Sequence, residues 1–420
     1  MEMLDNLFRR ESGRMVSVLA AVFGLSNLSI AEDVVQEAFC KAIQVWPYTG
    51  VPDNPSAWLM ATAKNKALDL LRRERTAQRY APEFGPLLES EWTLSQTLTE
   101  KFEPNAIQDD LLRMMFSCCH PRLPEPAQVA LMLHILCGFG IREVAGAFVS
   151  EQAAMEKRVQ RAKKTLSESK RLLDIRSADA VRERIPAVLR ALYLLFNEGY
   201  HGCSEESITR AELCREAMRL TSLLLEDDRV HSPAAHALLA LMCFHAARLK
   251  GRTDHNGDLC AFEDQDRSLW DRMLIQKGLI LLDQSASGTE ISEYHLEAAI
   301  AAVHCRAPSV SETDWAMIVS LYDALMSLRP SPIIALNRAV AIGKSQGPEK
   351  GLEAIAQIPD AHKLNRYPFY FAARAELAAH AKHSDEASAD FAQARSLARS
   401  QSERRFIEAK TERCLEMHNR

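Results

Sequence analysis

The chain has 420 residues, a formal net charge of −5 and 47% hydrophobic residues. This length exceeds what one compact core usually supports, so two to four domains are expected. With so little net charge, any surface for nucleic acid must be local, and no apolar run is long enough to cross a bilayer. Because the first residues are dense in charge, we expect no cleavable signal and no membrane association, and therefore a cytoplasmic protein.

Ten cysteines are scattered through apolar helical patterns without a paired C-x-x-C arrangement. Cys118-Cys119-His120 is their one cluster, and adjacent cysteines rarely reach the same tetrahedral ion. Core packing or a helix end is the favoured interpretation. The sequence therefore predicts no metal site and no cofactor.

The first predicted elements are helices at residues 7–25 and 31–46. Apolar residues in the second recur about once per helical turn. They are Val34, Val35, Ala38, Phe39, Ala42, Ile43 and Trp46. Asp33, Gln36 and Glu37 fall on the opposite face, which is acidic and able to form hydrogen bonds.

Residues 47–56 form a predicted loop, because three prolines and a glycine interrupt the helical pattern. A third helix follows, with Asn54 or Ser56 as its N-cap. From Leu59 to Arg79 six basic residues stand against two acidic ones. This helix should present a positive ridge, although an ordinary charged surface helix would look similar.

The combination resembles conserved region 2 of the extracytoplasmic-function sigma factors of bacterial RNA polymerase. The matching motifs lie within residues 7–75. They are Asp-x-Val-Gln-Glu at Asp33–Glu37, Pro-x-x-Trp-Leu at Pro55–Leu59 and Leu-Asp-x-Leu-Arg-Arg at Leu68–Arg73.

The resemblance implies functions for three surfaces of this first domain. Asp33, Gln36 and Glu37 would dock on the polymerase clamp. The loop would hold an unstacked base of the −10 promoter element. The residues implied to track the DNA strand are Lys64, Asn65, Arg72 and Arg73.

Residues 80–106 carry three prolines and no sustained period, so a linker is predicted, extended or partly disordered. In the resembled family this linker runs near the RNA exit path. Helical patterns return at residues 107–119 and continue through the apolar stretch 127–139.

A short helix at 141–148 and a second at 151–166 form a predicted helix-turn-helix. The second helix has core positions at Met155, Val159, Ala162 and Leu166. Its outward cations, Lys157, Arg158, Arg161 and Lys164, would contact the −35 element. Eight basic residues between Ile141 and Arg171 stand against four acidic ones.

A generic helical hairpin fits this pattern equally well, but its place after the first domain resembles region 4 of the same family. The sequence departs from that pattern at Val149, Ser150 and Glu151 in the turn. Glu156 adds a negative charge to the presumed DNA-facing helix. These departures concern the strength of DNA binding more than the fold.

Residues 175–289 are predicted to form a helical extension. The string from Tyr193 to Tyr200 resembles a signature of a sigma-factor group with a long C-terminal extension. The acidic segment 252–272 is faintly similar to a calcium loop, but Gln265 stands where the closing glutamate belongs. A solvated loop is favoured there.

Residues 290–420 contain a repeat with an offset of 36 residues. Arg338–Ala341 matches Arg374–Leu377, and Gly347–Ile355 matches His383–Phe391. Small residues recur where helices would cross, which is typical of a tetratricopeptide-like solenoid.

The sequence thus predicts an all-α protein with five segments. They are a region 2 domain at 1–79, a linker at 80–106, a region 4 helix-turn-helix at 107–174, a helical extension at 175–289 and helical repeats at 290–420. The expected function is that of an alternative sigma factor that binds core RNA polymerase and promoter DNA. A repeat scaffold with a degenerate sigma-like module is the alternative.

The sequence does not support an enzymatic function, because it contains no nucleophile paired with a base, no glycine-rich phosphate loop and no group of metal ligands. No catalytic residue is therefore assigned. The extension is expected to regulate the sigma domains by packing against them. The acidic loop at Asp258–Asp271 is the predicted contact for the basic helix at Lys157–Lys164.

Overall fold

The computed structural model confirms the all-α fold class. It describes residues 2–77, 104–148, 150–169, 171–173, 178–201, 211–227, 230, 232–254, 259–398 and 400–418, which contain 18 α-helices and no strand beyond one isolated bridge, Thr253 to Leu259. Two compact units divide the chain. One comprises Met1–Leu195 with Glu226–Val230, and the other comprises Phe196–Leu225 with His231–Arg420.

The first unit contains α1 to α7 and the first part of α8. The helices are α1 Glu2–Phe23, α2 Leu28–Thr49, α3 Pro55–Ala77, α4 Pro104–Cys118, α5 Glu125–Leu131, α6 Ile141–Ala147, α7 Gln152–Ser167 and α8 Ala178–His201. A π-helical turn, Met132–Leu136, continues α5. The predicted linker at 80–106 lies outside the described residues up to 103, and α4 begins at Pro104.

Helix α1 is the shared core element of this unit, because it packs against α2, α3, α4 and the π-helical turn. Its Met15, Val18 and Leu19 are fully buried. A Cβ atom on Gly13 would lie 2.1 Å from the carbonyl oxygen of Leu136. Only glycine therefore permits this close approach of α1 to the turn.

Helix α2 differs from its prediction at the C-terminal end. It continues through Pro47 to Thr49, because losing one backbone donor in the last turn does not stop the helix. Gly50, with a φ of 81°, ends it instead. Ile43, predicted in the core stripe, is 58% exposed. The other predicted core residues of α2 are buried.

Helix α3 begins as predicted after an asparagine cap. The Asn54 Oδ1 atom accepts a hydrogen bond from the Ala57 amide at 3.0 Å. Ser56 has another function, since its hydroxyl donates to Glu11 Oε1 at 3.0 Å. The Glu11 side chain is only 2% exposed, so this bond helps to satisfy a buried carboxylate.

The second unit contains the remaining helices. They are α9 Ala211–Leu225, α10 Pro233–Ala247, α11 Arg272–Ser285, α12 Glu293–Arg306, α13 Trp315–Leu328, α14 Pro332–Gln346, α15 Pro348–Ala356, α16 Pro368–His380, α17 Ser384–Leu397 and α18 Gln401–His418. Helix α10 is almost wholly apolar and packs against α9, α11 and α12. It is therefore the central helix of the 196–289 part.

The predicted helical repeat is confirmed. Helices α14 and α16 start 36 residues apart, and so do α15 and α17. Gly343 and Gly351 face each other where α14 and α15 cross, since a Cβ on Gly351 would lie 2.9 Å from the Gly343 Cα. The equivalent positions 36 residues later are the buried Ala379 and Ala387. Small residues thus set the close packing of each helical pair.

The acidic segment before α11 is partly outside the described residues, which omit Asn256 and Asp258. The Asp266 and Asp271 carboxylates accept hydrogen bonds from backbone amides at the starts of the following helical turns. Gln265 is buried, and its Oε1 accepts from the Arg248 guanidinium at 3.2 Å. The described part of the segment is therefore ordered by its own helix caps.

Candidate nucleic-acid interface

The outer face of α2 carries the three predicted polymerase-binding residues together. Asp33, Gln36 and Glu37 are all exposed and lie within about one helical turn. The Glu37 carboxylate pairs with the Lys66 ammonium of α3 at 2.6 Å. Both side chains are about half exposed, so the pair contributes little stability and remains open to exchange with a partner.

The described side chains of α3 include only part of the predicted basic ridge. Asn65 is exposed and Lys64 is half-buried. Arg72 and Arg73 lie in α3, but their side chains fall outside the described ones. Lys66, which was not selected from the sequence as a DNA-binding residue, is exposed next to Asn65 and pairs with Glu37 on the acidic face of α2.

Three large apolar side chains are exposed at the end of α2 and in the loop that follows. Tyr48 is 91% exposed, Ile43 58% and Val51 49%. In the same region the rings of Trp46 and Trp58 meet edge to face at 5.3 Å, joining the end of α2 to the start of α3. These exposed side chains were not predicted from the sequence, because its pattern places Ile43 in the core; apolar residues around a Pro/Gly loop were the available signal.

Helix α7 has the predicted division into a buried and an outward face. Met155, Val159, Ala162 and Leu166 are buried. Lys157, Arg161 and Lys164 are exposed, whereas Arg158 is half-buried with its guanidinium 5.9 Å from the ring centre of Phe148. Glu156 is exposed on the same helix, as the sequence indicates.

A half-buried polar cluster joins α7 to α2 within this unit. The Lys163 Nζ atom donates to both carboxylate oxygens of Glu32 at 2.7 Å and to His134 Nε2 at 3.0 Å. His134 Nδ1 donates to the Phe139 carbonyl at 2.8 Å, which leaves Nε2 as the acceptor. Burial, together with the Lys163 charge, lowers the pKa of His134 and favours this neutral form.

This cluster connects residues 131 positions apart in the chain. It could not be found from local sequence patterns, because Glu32 and Lys163 look like ordinary surface residues of amphipathic helices. Its consequence is that α7 packs against the helices of the first domain through one face. The exposed cations Lys157, Arg161 and Lys164 remain available for another contact.

The Cys118-Cys119 pair is in the core, as favoured from the sequence. Both side chains are fully buried, and Cys119 Sγ lies 3.8 Å from Met132 Sδ. Burial raises the pKa of Cys119 to about 12, so this thiol is unreactive at neutral pH. Within the described ranges no three His, Cys, Asp or Glu side chains converge closely enough to hold a metal ion.

Comparison with known proteins relates the chain to one relative over most of its length and to a sigma-70 family model at its N-terminal end. An uncharacterized protein of Rhizobium meliloti (strain 1021), R00370, is 38% identical over 383 residues, which cover 91% of this chain and 89% of that protein. The chain belongs to this protein's family. Residues 7–77 match sigma-70 region 2. The matched residues are those of the first three helices, which are therefore similar to a sigma-70 region 2.

A second match concerns the extension. Residues 184–286 match a family of unknown function, DUF6596. No solved structure matches the chain. In the part of the chain that the structure describes, no helix is both long and apolar enough to cross a bilayer. In sequence order, a segment similar to sigma-70 region 2 is thus followed by one similar to this second family.

Proposed function

We propose that the chain is an alternative sigma factor of the extracytoplasmic-function type, which binds core RNA polymerase and directs promoter recognition and opening. The sigma-70 region 2 at residues 7–77 carries this proposal. Its acidic face on α2 is exposed, and so are Asn65 and Lys66 on α3. The function is binding rather than catalysis, and it takes place in the cytoplasm.

Polymerase binding is assigned to Asp33, Gln36 and Glu37. Their exposure and common face suit docking on a basic surface of the polymerase clamp. Because Glu37 is paired with Lys66 through a solvent-exposed bridge, exchanging that partner for a polymerase residue costs little. Lys66 would then be released toward the DNA side of the domain.

Opening of the −10 element is assigned to the loop after α2 and to the ridge of α3. A splayed base needs an aromatic or apolar surface to stack on and cations to follow the backbone. The exposed ring of Tyr48 supplies the first. The cations are Lys64, Arg72 and Arg73, with Asn65 as a hydrogen-bonding residue.

Recognition of the −35 element is assigned to α6 and α7 as a helix-turn-helix. The two helices are separated by four residues, and α7 exposes Lys157, Arg161 and Lys164. Cations on one helix face suit the phosphates and base edges of a major groove. Arg158 is held against Phe148 and contributes less to this surface.

The extension is proposed to regulate the sigma domains through tetratricopeptide-like repeats. A chain truncated after Leu195 retains almost all of the first compact unit. Higher promoter activity of this truncated chain would indicate inhibition by the extension. Loss of activity from a folded truncated chain would indicate that the extension is required, and no change would exclude it from the mechanism.

A repeat scaffold that uses its region 2 only for protein contacts is the second candidate. The exposed Glu156 on α7 favours it, since a carboxylate there repels phosphates. Under this alternative the protein would bind polymerase without supporting promoter opening.

Binding to core polymerase is the direct test of the proposed polymerase contact. The variant Asp33→Ala/Gln36→Ala/Glu37→Ala should weaken binding at least about tenfold, as expected when several charged contacts at an interface are lost. Glu353→Ala, an exposed glutamate of the repeats that pairs with Lys350, is the control and should bind as the wild type does. Equal affinity of all three proteins would refute the assignment.

A further inference from the structure

The helical repeats contain a cavity of about 250 Å³ between the first helices of successive repeats, α14, α16 and α18. Apolar side chains form most of its wall. They include Leu336, Val340, Tyr367, Phe369, Leu377 and Phe406. The cavity is smaller than the pockets that enclose drug-sized ligands, so one large side chain is a better match to its volume.

One end of the cavity is charged. The Glu376 carboxylate lies 2.5 Å from Lys410 Nζ and 3.4 Å from Lys344 Nζ. Burial alone would raise the pKa of Glu376, but the two ammonium groups lower it to about 2. A single carboxylate is therefore shared by two cations, which leaves one positive charge uncompensated by the helices themselves.

The chain covers this charge with an acidic turn from elsewhere in the second unit. The turn is the 3₁₀ segment Phe262–Asp264. Glu263 Oε1 lies 3.5 Å from Lys344 Nζ, and the Asp264 carboxylate contacts the Arg413 guanidinium of α18. The turn thus brings two carboxylates to cations at the end of the apolar cavity.

These contacts are exposed enough to be exchanged. The side chains of Arg413 and Asp264 are 42% and 40% exposed, and those of Lys344 and Glu263 are 25% and 27% exposed. Solvent-exposed ion pairs are worth little, so a competing carboxylate can replace them. Glu263 and Lys344 also border a second, open cavity of about 770 Å³ on the other side of the turn, which leaves room for a longer ligand.

We propose that this groove binds an acidic peptide segment with one aromatic or aliphatic anchor, and that the turn Phe262–Asp264 occupies its cationic end in the free protein. Without the turn, Lys344 and Lys410 keep Glu376 as their shared carboxylate and Arg413 loses Asp264, so the net charge of the groove rises by two. Carboxylates of the peptide take the places of Glu263 and Asp264. The anchor fills the apolar cavity, as aromatic anchors do at protein interfaces.

The geometry favours a peptide over single-stranded nucleic acid, the other anionic polymer with flat apolar groups. Phe369 and Phe406 meet edge to face at 5.9 Å, and Tyr367 and Phe369 at 5.5 Å. Rings arranged in this way enclose a side chain. Bases stack instead on exposed ring faces.

The test uses the full chain and a fluorescein-labelled peptide with one phenylalanine between two runs of three glutamates. Fluorescence anisotropy at low salt should show that the chain binds this peptide. A matched peptide with lysines in place of the glutamates should not bind. The variant Glu263→Gln/Asp264→Asn should bind about threefold to tenfold more tightly, because the competing carboxylates are neutralised while their shape is kept. Arg413→Ala should bind at least about threefold more weakly.

Arg395→Ala is the matched control, since Arg395 also forms an exposed ion pair, but with Glu408 rather than with a carboxylate of the acidic turn. It should bind the acidic peptide as the wild type does. Equal weakening by Arg395→Ala and Arg413→Ala would overturn the proposal, and so would equal binding of the two peptides. The proposal would also be overturned if the acidic peptide bound neither the wild type nor Glu263→Gln/Asp264→Asn. It would likewise be overturned if an oligothymidine of equal length bound the wild type more tightly than the acidic peptide does.

Discussion

The substitution Gly13→Ala tests whether α1 packs tightly on the π-helical turn in solution. The added Cβ would lie 2.1 Å from the Leu136 carbonyl oxygen and 2.6 Å from its carbon. These are backbone atoms, which cannot rotate aside as a side chain would. Overpacking of this kind costs about 3 kcal/mol, while replacing a mid-helix glycine by alanine gains about 1 kcal/mol. The expected net loss is about 2 kcal/mol.

Hydrogen–deuterium exchange of peptides from α1 and the π-helical turn measures this loss. A cost of about 2 kcal/mol corresponds to amide exchange about thirtyfold faster in the most protected amides. Gly140→Ala is the control, because its Cβ would meet only the Glu143 carboxylate at 3.5 Å. If Gly13→Ala exchanges as slowly as the wild type or more slowly, the close contact does not exist in solution.

Three further predictions concern the proposed DNA surfaces and the repeats. Arg72→Ala/Arg73→Ala should weaken promoter opening, measured by permanganate footprinting, without weakening polymerase binding; equal loss of both would refute that division. Arg161→Ala should reduce the salt slope of promoter-DNA binding by about one if it contacts a phosphate, and an unchanged slope would place α7 elsewhere. Glu376→Gln should lower the stability of the repeats at pH 7 by about 3 kcal/mol, because the Glu376 pKa falls from 4.5 to about 2 on folding. That stabilisation is present above pH 4.5 and is lost as the pH falls toward 2, so thermal melting of variant and wild type should converge at low pH; a constant difference would contradict it.

Local sequence patterns were sufficient to predict the helices and most of the buried core residues. The once-per-turn spacing of Met155, Val159, Ala162 and Leu166 predicts their burial in α7, which is confirmed. The 36-residue repeat could be predicted because the small residues at helix crossings return at a fixed offset. These features depend on the period of the chain and on residues near in sequence.

Tertiary contacts account for what the sequence could not predict. The Glu32–Lys163–His134 cluster joins helices far apart in the chain, and each residue alone resembles a surface position. Helix α2 continues past Pro47 and exposes Ile43, since the packing of Trp46 on Trp58 fixes the direction of its last turn. The acidic turn at Glu263 looked like a solvated loop because its cationic partners lie in later helices.

Run-off transcription with core polymerase tests the central claim most directly. The templates would be fragments of the source genome, so that the assay presupposes no promoter sequence. The account predicts discrete transcripts that require the full chain and disappear with Asp33→Ala/Gln36→Ala/Glu37→Ala, while Glu353→Ala still supports them. Stable binding of the chain to core polymerase without any specific transcript across the genome would contradict the account and favour a scaffold.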